Sequence, residues 1–224
     1  MTSRLVYTAI TAGHAELHDH PDVADTDFVC FSDDPNVHRD LGSRWQLRSV
    51  EAAADLSPRR RAKFHKLFPP SGYEWTIWID GSHHMRMDGV RMVDDMIATS
   101  PGGFGLHKHP RLDCIYADGQ DVLSHPLLLS KRRDQPIAEQ LQHYRREGHP
   151  DHWGLWACGS ICRNQSPLVQ NAMKLWWDEI LRWSERDQLS LPFVMRSAGL
   201  RPDEWPWKLY ESPYFSAIDH NWNA

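Results

Sequence analysis

Short apolar runs rich in aromatic and β-branched residues recur along the chain and predict buried strands. Polar turns and segments with apolar residues at helical spacing separate these runs. The predicted strands cover residues 5–11, 27–32, 45–50, 75–79 and 154–161, with a further strand after the glycine-rich turn at 102–105. Because strands joined through a helix pair in parallel, the pattern predicts an α/β fold with a mostly parallel central sheet flanked by helices.

The helix between the third and fourth predicted strands has clear start and stop signals. Ser57 is placed to cap its first turn, Pro58 occupies the first helical position, and two prolines after Phe68 end it. Phe64, Leu67 and Phe68 recur at i, i+3 and i+4, which predicts that these three side chains face the sheet.

The second half of the chain continues with helices and an aromatic tail. One helix opens at Pro136 and ends at Gly148, and a longer one is capped by Ser166. The longer helix carries a stripe that predicts core packing rather than a sugar platform: Val169, Met173, Trp176, Ile180 and Trp183. Residues 202–224 are too aromatic for a disordered segment, so we expect this tail to fold back over the domain.

Composition narrows the function classes. A chain of 224 residues fits one domain with a sizeable core. Its net charge of −5, from 25 basic and 30 acidic residues, argues against a protein that binds nucleic acid by neutralising phosphates. The four cysteines form no CxxC pair, which disfavours zinc and favours a reducing compartment. No apolar run approaches the roughly 20 residues of a membrane span, and the first residues lack signal-peptide features, so we expect a cytoplasmic protein without a transmembrane segment.

Candidate chemistry centres on the end of the predicted fourth strand. Asp80, Gly81 and Ser82 follow it directly, and His83 and His84 come next. Open α/β sheets bind ligands at this carboxyl edge, where a carboxylate can hold a metal ion or a sugar hydroxyl and a glycine admits a ligand close to the backbone. If the segment stays extended, Asp80, Ser82 and His84 share one face. The alternative is that Asp80 only caps the turn after the strand.

Other polar residues are candidates for the same edge. The turn after Thr11, and Asp33 after the second strand, lie where nucleotides often bind in α/β domains, although Asp33 also suits a plain turn. Four cationic residues lie near the start of the helix at 58–67, and one of them, Lys63, flanks the apolar stripe. Such a cluster either binds a phosphate group or forms a solvated face of the helix. The cluster at 107–111, His-Lys-His-Pro-Arg, could supply positive charge or metal ligands to the site. The alternative is that these residues form an ordinary polar loop.

Several motifs occur in a fixed order along about residues 5–200. They are Cys30-Phe31-Ser32-Asp33, Lys63 with Leu67-Phe68-Pro69, Trp78-Ile79-Asp80-Gly81-Ser82, His109-Pro110-Arg111, Tyr144 with Glu147-Gly148, Cys158-Gly159 with Arg163, Trp176 with Glu179, and Arg186-Asp187-Gln188-Leu189-Ser190. Together they resemble a glycosyltransferase-like family, long catalogued as a domain of unknown function, that includes plant Golgi proteins of pollen and seed mucilage. Motifs in shared order are far more specific than any single one.

The resemblance implies a single GT-A glycosyltransferase domain, a Rossmann-like α/β fold. Such an enzyme moves a sugar from a nucleotide sugar, here a UDP- or GDP-sugar, to a hydroxyl of a carbohydrate acceptor, in polysaccharide or other glycan biosynthesis. It implies a nucleotide-binding half at about 1–100, an acceptor half at about 101–200 and the tail at 201–224. Asp80 lies where these enzymes carry Asp-x-Asp, so it is the implied ligand of Mn²⁺ or Mg²⁺ bound together with the donor. Ser82 replaces the second acid and is a poorer ligand.

The resemblance also implies roles for individual residues. The implied donor-binding residues are Thr8, Thr11, Asp33, Lys63, Asp80, Ser82, His109, Arg111 and Arg163. Of these, Lys63, Arg111 and Arg163 would neutralise the departing diphosphate, with or without a cation. Asp187 and Gln188 are the implied catalytic residues.

The role of Asp187 depends on the stereochemistry, which the sequence leaves open. In an inverting enzyme Asp187 would be the general base that deprotonates the acceptor, and in a retaining enzyme it would position donor or acceptor. We expect Asp187→Asn to leave the fold and the donor affinity nearly intact and to lower turnover. The alternative is that Asp187 is only a helix N-cap, a role that Asn fills equally well.

Two functions of other classes remain. One is a non-catalytic protein of the same fold that binds carbohydrate or nucleotide, which Ser82 alone suggests. The other is a metal-dependent hydrolase built from five residues: Asp80, His83, His84, His107 and His109. No HExxH spacing or comparable metal motif supports the hydrolase.

Overall fold

The computed structural model describes residues 4–37, 44–50, 55–130 and 134–217, and it confirms the predicted α/β class. Within these ranges the strands are β1 (Arg4–Ile10), β2 (Thr26–Ser32), β3 (Gln46–Ser49), β4 (Trp75–Ile79), β5 (His83–Met85), β6 (Phe104–Lys108), β7 (Trp156–Asn164), β8 (Asp203–Glu204) and β9 (Phe215–Ala217). Each strand expected from the sequence is present, with ends shifted by at most three residues, and β5, β8 and β9 are additional.

Helices surround the sheet. They are α1 (Pro58–Leu67), α2 (Met92–Ala98), α3 (Ile115–Ser124), α4 (Pro126–Ser130), α5 (Ile137–Arg146), α6 (Pro167–Arg182), α7 (Asp187–Ser197) and a short 3₁₀ helix (Leu209–Glu211). In the described part of the chain, none of them combines the length and the apolar content needed to cross a membrane.

The central sheet has the strand order β3-β2-β1-β4-β7-β6-β8. The first four strands are mutually parallel, β7 runs antiparallel to both of its neighbours, and β6 pairs in parallel with β8. The carboxyl ends of β1, β2, β4 and β6 therefore meet at one edge, where β7 begins. This edge is where an open α/β sheet binds its ligands.

Two helix starts follow the predicted capping chemistry. The Ser57 hydroxyl accepts a hydrogen bond from the backbone N–H of Arg60 at 3.1 Å, at the start of α1. The Ser166 hydroxyl does the same for Val169 at 3.4 Å, at the start of α6. In both helices a proline follows the cap, where its missing N–H costs nothing.

The buried face of α1 differs from the prediction. Phe64 and Phe68 do not face the sheet; their rings pack against Trp177 of α6, with centroid distances of 5.5 and 6.2 Å. The side chains that α1 buries are those of residues 65–67. His65, for example, stacks on Phe31 of β2 at 4.1 Å. Because α1 lies between the sheet and α6, it has two apolar contact faces, and the largest rings face the neighbouring helix.

The aromatic tail folds back over the domain as predicted, over its described residues. Trp205 and Phe215 are 4% and 2% exposed. Two strand pairings hold the tail on the domain. The first is that of β8 with β6, and the second is that of β9 with β5, the strand that directly follows the Asp80 turn. Residues 218–224 of the predicted tail lie outside the described residues.

A buried histidine makes the stability of the fold depend on pH. His107 on β6 is fully buried, its Nδ1 lies 3.1 Å from the Ser160 hydroxyl, and burial, with a smaller contribution from His83, lowers its pKa to about 3. An unfolded histidine takes up a proton below about pH 6.5, whereas the folded one resists protonation down to the lower value. The stability contributed by neutral His107 is therefore complete above about pH 6.5 and is lost as the pH falls from there.

We expect the melting temperature to drop between about pH 7.5 and about pH 5, measured by circular dichroism. His107→Gln cannot take up a proton, so its drop should be smaller than that of the unmodified protein. Part of the drop should remain, because burial also lowers the pKa values of His65 and His149 to about 4. An equal drop in both proteins would show that His107 does not contribute.

Candidate active site

A cleft of about 810 Å³ opens at the carboxyl edge of the parallel strands, a volume typical of small-molecule sites. The ends of β1 and β4, one face of α1, and the starts of β7 and α7 line it. The cleft brings together eight of the residues that the sequence singled out: Thr11, Lys63, Asp80, Ser82, His109, Arg111, Asp187 and Gln188. Three others, Thr8, Asp33 and Arg163, do not line it.

A buried lysine that the sequence analysis missed, Lys66, connects the two candidate carboxylates. Its Nζ lies 2.7 Å from an oxygen of Asp187 and 3.5 Å from an oxygen of Asp80. The same Nζ donates a hydrogen bond to the carbonyl of Cys158, and the residue has no exposed surface. Burial alone would lower the pKa of Lys66, but Asp187 and Asp80 outweigh it and raise the pKa above its ordinary value. Lys66 is therefore a permanent cation beneath the cleft.

Asp187 is bound by two lysines. Lys63 and Lys66 both donate to the same carboxylate oxygen, and the Asp187 side chain is only 10% exposed. Burial would raise the pKa of Asp187, but the two ammonium groups outweigh it and hold that pKa well below its usual range. A carboxylate with so low a pKa and so little exposed surface is a weak general base, so this pairing favours a positioning role for Asp187 over its predicted role as base.

The N-cap alternative for Asp187 is also wrong. Arg186 occupies the N-cap position of α7, and Asp187 is the first helical residue, with its carboxylate directed to the lysines rather than to the backbone. Arg186 forms a buried ion pair with Asp118 of α3, whose Oδ2 lies 2.6 Å from the guanidinium Nε. This pair anchors the start of α7 and thereby places Asp187.

Asp80 lies at the floor of the cleft, with its side chain 34% exposed. One carboxylate oxygen accepts a hydrogen bond from the Trp78 indole at 2.6 Å, and the backbone N–H donates to the Gly159 carbonyl at 2.7 Å. The chain turns here, because the N–H of His83 donates to the Asp80 carbonyl at 2.9 Å. The expectation that Asp80, Ser82 and His84 share one face of an extended strand is therefore wrong.

Two glycines permit close packing around this turn. A Cβ on Gly81 would lie 2.7 Å from the Cβ of Ala15, so the absence of a side chain at Gly81 permits contact with the loop after β1. A Cβ on Gly159 would lie 2.2 Å from the imidazole of His83. Gly159 thus leaves the space that the His83 ring occupies beneath the cleft.

The donor set at Asp80 does not fit the metal ion that the resemblance implies. One oxygen of Asp80 is already engaged by Trp78 and Lys66, and the Ser82 hydroxyl lies 3.4 Å from a ring nitrogen of His83. One oxygen of the second carboxylate, Asp187, accepts hydrogen bonds from both Lys63 and Lys66, and this side chain is only 10% exposed. Mg²⁺ and Mn²⁺ favour several hard oxygen ligands, whereas of these two carboxylates only that of Asp80 is well exposed to the cleft.

The histidine and acid set proposed for a hydrolase does not converge. Among the described residues, no three His, Cys, Asp or Glu side chains are placed to hold a metal ion. His107 lies in the core, and His109 accepts a hydrogen bond from the N–H of Leu112 at 3.0 Å in the loop after β6.

Arg163 lies far from the cleft. It is opposite Thr76, near the start of β4, whereas Asp80 follows the end of that strand. Its guanidinium donates to the Tyr7 hydroxyl and to the Lys66 carbonyl, and the residue is 1% exposed. Arg163 therefore braces the end of α1 against the sheet, and its predicted contact with the donor is not supported.

Asp33 and Thr8 are close to the cleft without lining it. Asp33 accepts a hydrogen bond from the N–H of Ala12 at 2.9 Å and forms an ion pair with Arg61 at 3.2 Å, so it holds the loop after β1 in place. Thr8 is buried on β1, and its hydroxyl has no hydrogen-bond partner among the described residues.

Two further residues lining the cleft were missed as site residues. Arg59 extends from α1 one turn before Lys63, and its only sequence signal was membership of a cationic cluster. Tyr210, on the 3₁₀ helix of the tail, is 45% exposed and also lines the cleft. Its position depends on the pairing of β9 with β5, which no local pattern predicts.

The family follows from the sequence itself. The sequence profile of the TOD1/MUCI70 glycosyltransferase-like domain matches residues 60–219. The chain belongs to this family. The matched segment contains Lys63, Lys66, Asp80 and Asp187, the charged residues at the centre of the cleft.

The solved structures that resemble the chain include two glycosyltransferases. The apo structure of WbbM, a bifunctional glycosyltransferase, has a TM-score of 0.48 and 14% identity over 92% of this chain and 39% of that chain. The apo form of mouse xyloside xylosyltransferase 1 has a TM-score of 0.45 and 11% identity over 88% of this chain and 82% of that chain. The chain thus spans 39% of the length of WbbM. No curated protein matches it in sequence.

Proposed function

We propose that the chain is a glycosyltransferase that takes a sugar from a nucleoside diphosphate sugar, a UDP- or GDP-sugar, and transfers it to a hydroxyl of a carbohydrate acceptor. The observation that carries the proposal is the cleft at the carboxyl edge of the sheet, where the Lys66 ammonium forms ion pairs with both Asp80 and Asp187. Membership of a glycosyltransferase-like family supports the same chemistry. The pathway, in polysaccharide or other glycan synthesis, and a cytoplasmic location stay predictions.

The two walls of the cleft suit the two substrates. The wall formed by β1, β4 and α1 carries Arg59, Lys63 and the accessible oxygen of Asp80. Cations suit a diphosphate, and a carboxylate suits a sugar or ribose hydroxyl. We assign the acceptor to the part of the lining that the loop after β6 and the tail contribute, with Arg111, whose Nη2 lies 3.2 Å from Asp121, and the exposed ring of Tyr210. An aromatic ring beside polar groups suits a carbohydrate acceptor.

The residues of the network act by positioning. Lys66 holds the carboxylates of Asp80 and Asp187 in fixed places, and Asp187 in turn orients the Lys63 ammonium toward the cleft. Such preorganised charges stabilise developing charge without reorganising during the reaction. Gln188, half-buried in the lining next to Asp187, offers an amide to the reacting sugar.

The direct test is calorimetry with UDP, GDP and their sugars, followed by a screen for sugar transfer to carbohydrate acceptors. We expect one of the two nucleoside diphosphates to bind the cleft, and Asp80→Asn to weaken binding of its sugar conjugate. Absence of binding by both would contradict the proposal. Binding of the nucleotide sugar without any transfer or hydrolysis would favour the rival, a non-catalytic binding protein.

Tyr210 provides a test of the acceptor wall. Tyr210→Ala should raise the KM for the acceptor by about tenfold, because loss of a stacked ring costs roughly 1 kcal/mol or more, and should leave the KM for the donor unchanged. Steady-state kinetics with each substrate varied in turn measures both constants. A change confined to the donor constant would assign Tyr210 to the donor wall instead.

A further inference from the structure

We infer that the site neutralises the departing diphosphate with the side-chain cations Arg59 and Lys63, and that it needs no divalent metal ion. This inference rests on the proposed function and specifies how the same site handles charge. It departs from the metal at Asp80 that the sequence resemblance implies.

The charges beneath the cleft are already balanced. Asp80 and Asp187 carry two negative charges, and Lys63 and Lys66 carry two positive charges, so the network has no net charge to attract a divalent cation. The Lys66 ammonium is fully buried, also donates to the Cys158 carbonyl, and has no exposed surface through which to leave. A cation bound at Asp80 would lie beside this fixed positive charge, and like charges at such short range repel.

Arg59 is the cation of α1 that is available for a ligand. Its neighbours are engaged: Arg60 lies within 4.0 Å of Glu185, and Arg61 pairs with Asp33 at 3.2 Å. Arg59 lines the cleft and has no ion pair within the described ranges of the chain. A guanidinium can donate two parallel hydrogen bonds to a phosphate, so Arg59 is suited to bind the diphosphate.

Arg59 and Lys63 form one cationic face. They are four residues apart on α1, so their side chains lie on the same side of the helix, and both line the cleft. The Lys63 ammonium has three N–H donors, and Asp187 accepts from it at a single oxygen, so Lys63 can also donate to a phosphate. A diphosphate placed against this face meets two cations on a rigid element.

In the reaction, the bond between the anomeric carbon of the donor sugar and the diphosphate oxygen breaks, and its electron pair goes to that oxygen. The acceptor oxygen forms the new bond to the anomeric carbon, and its proton is released to water. The leaving diphosphate gains one negative charge, which Arg59 and Lys63 stabilise. No oxidant, reductant or further reactant is required.

The first experiment is calorimetry of UDP and of GDP, once with EDTA and once with Mn²⁺. We expect the nucleotide that binds to have the same Kd in both buffers. Binding only with Mn²⁺ would overturn the inference and leave the proposed function intact. Absence of binding in both buffers would contradict the proposed function, and the inference with it.

The second experiment removes the guanidinium in the presence of EDTA. Arg59→Gln should weaken binding of the nucleoside diphosphate about tenfold or more, the scale of a lost charged hydrogen bond, and should weaken the monophosphate less. Arg59→Lys should recover part of the loss. Arg146→Gln removes the same charge from an exposed position on α5, outside the cleft, and should leave both affinities unchanged. Unchanged diphosphate binding in Arg59→Gln would overturn the role of Arg59.

Discussion

Replacing Lys66 by methionine is expected to lower the free energy of unfolding by about 1–3 kcal/mol, because it removes one of the two counter-ions of the buried Asp187 carboxylate. Asp187 would keep only Lys63, and the Cys158 carbonyl would lose its donor. Methionine is close to lysine in size, so the loss reports the charge more than the packing. Urea unfolding followed by circular dichroism measures it. Unchanged stability would show that the ammonium contributes nothing net.

A double variant separates the charge effect from other damage. Lys66→Met with Asp187→Leu removes both charges, and replacing a buried ion pair with apolar residues of similar volume is often neutral. We therefore expect the double variant to be more stable than Lys66→Met alone. If the two changes simply add, the residues are not energetically coupled.

Replacing Asp187 by asparagine is expected to lower turnover by about 100-fold or more, the scale of a positioned ionic group, and to destabilise the fold as well. The sequence alone predicted that this change would leave the fold intact. The structure alters that expectation, because asparagine cannot neutralise Lys63 and Lys66, and one of these lysines is fully buried. Asp178→Asn, the same change on the exposed face of α6, should alter neither quantity.

The pH dependence distinguishes the two roles of Asp187. Because its pKa is held below the usual range in the folded protein, its contribution to stability is present above about pH 4, the unfolded value, and is lost as the pH falls further. If Asp187 acts by positioning, it stays ionised at neutral and mildly acid pH, so its titration should cause no loss of turnover there. A fall in turnover with a midpoint near pH 6 that disappears in Asp187→Asn would restore the role of general base.

The positions of the strands and of most helices could be predicted because they depend on local patterns. The run at β4 is short, apolar and β-branched, and Ser57-Pro58 carries its own capping chemistry, so each is recognisable without its neighbours. The direction of β7 could not be predicted from its own residues, since a buried strand has the same composition whether it pairs in parallel or antiparallel. The faces of α1 were misassigned because that helix contacts both the sheet and α6.

The sequence by itself determined the α/β class, the family and eight of the residues that line the cleft, because ordered motifs and hydrophobic periodicity are properties of the linear chain. Only the tertiary structure decided what those residues do to one another. Lys66 looks like one more surface cation beside Lys63, yet the packing of α1 against the sheet buries it between Asp80 and Asp187. Whether a charged side chain is solvated or paired depends on what the fold places within a few ångströms of it. The strength of electrostatic interactions, and hence the pKa of Asp187, changes with that burial.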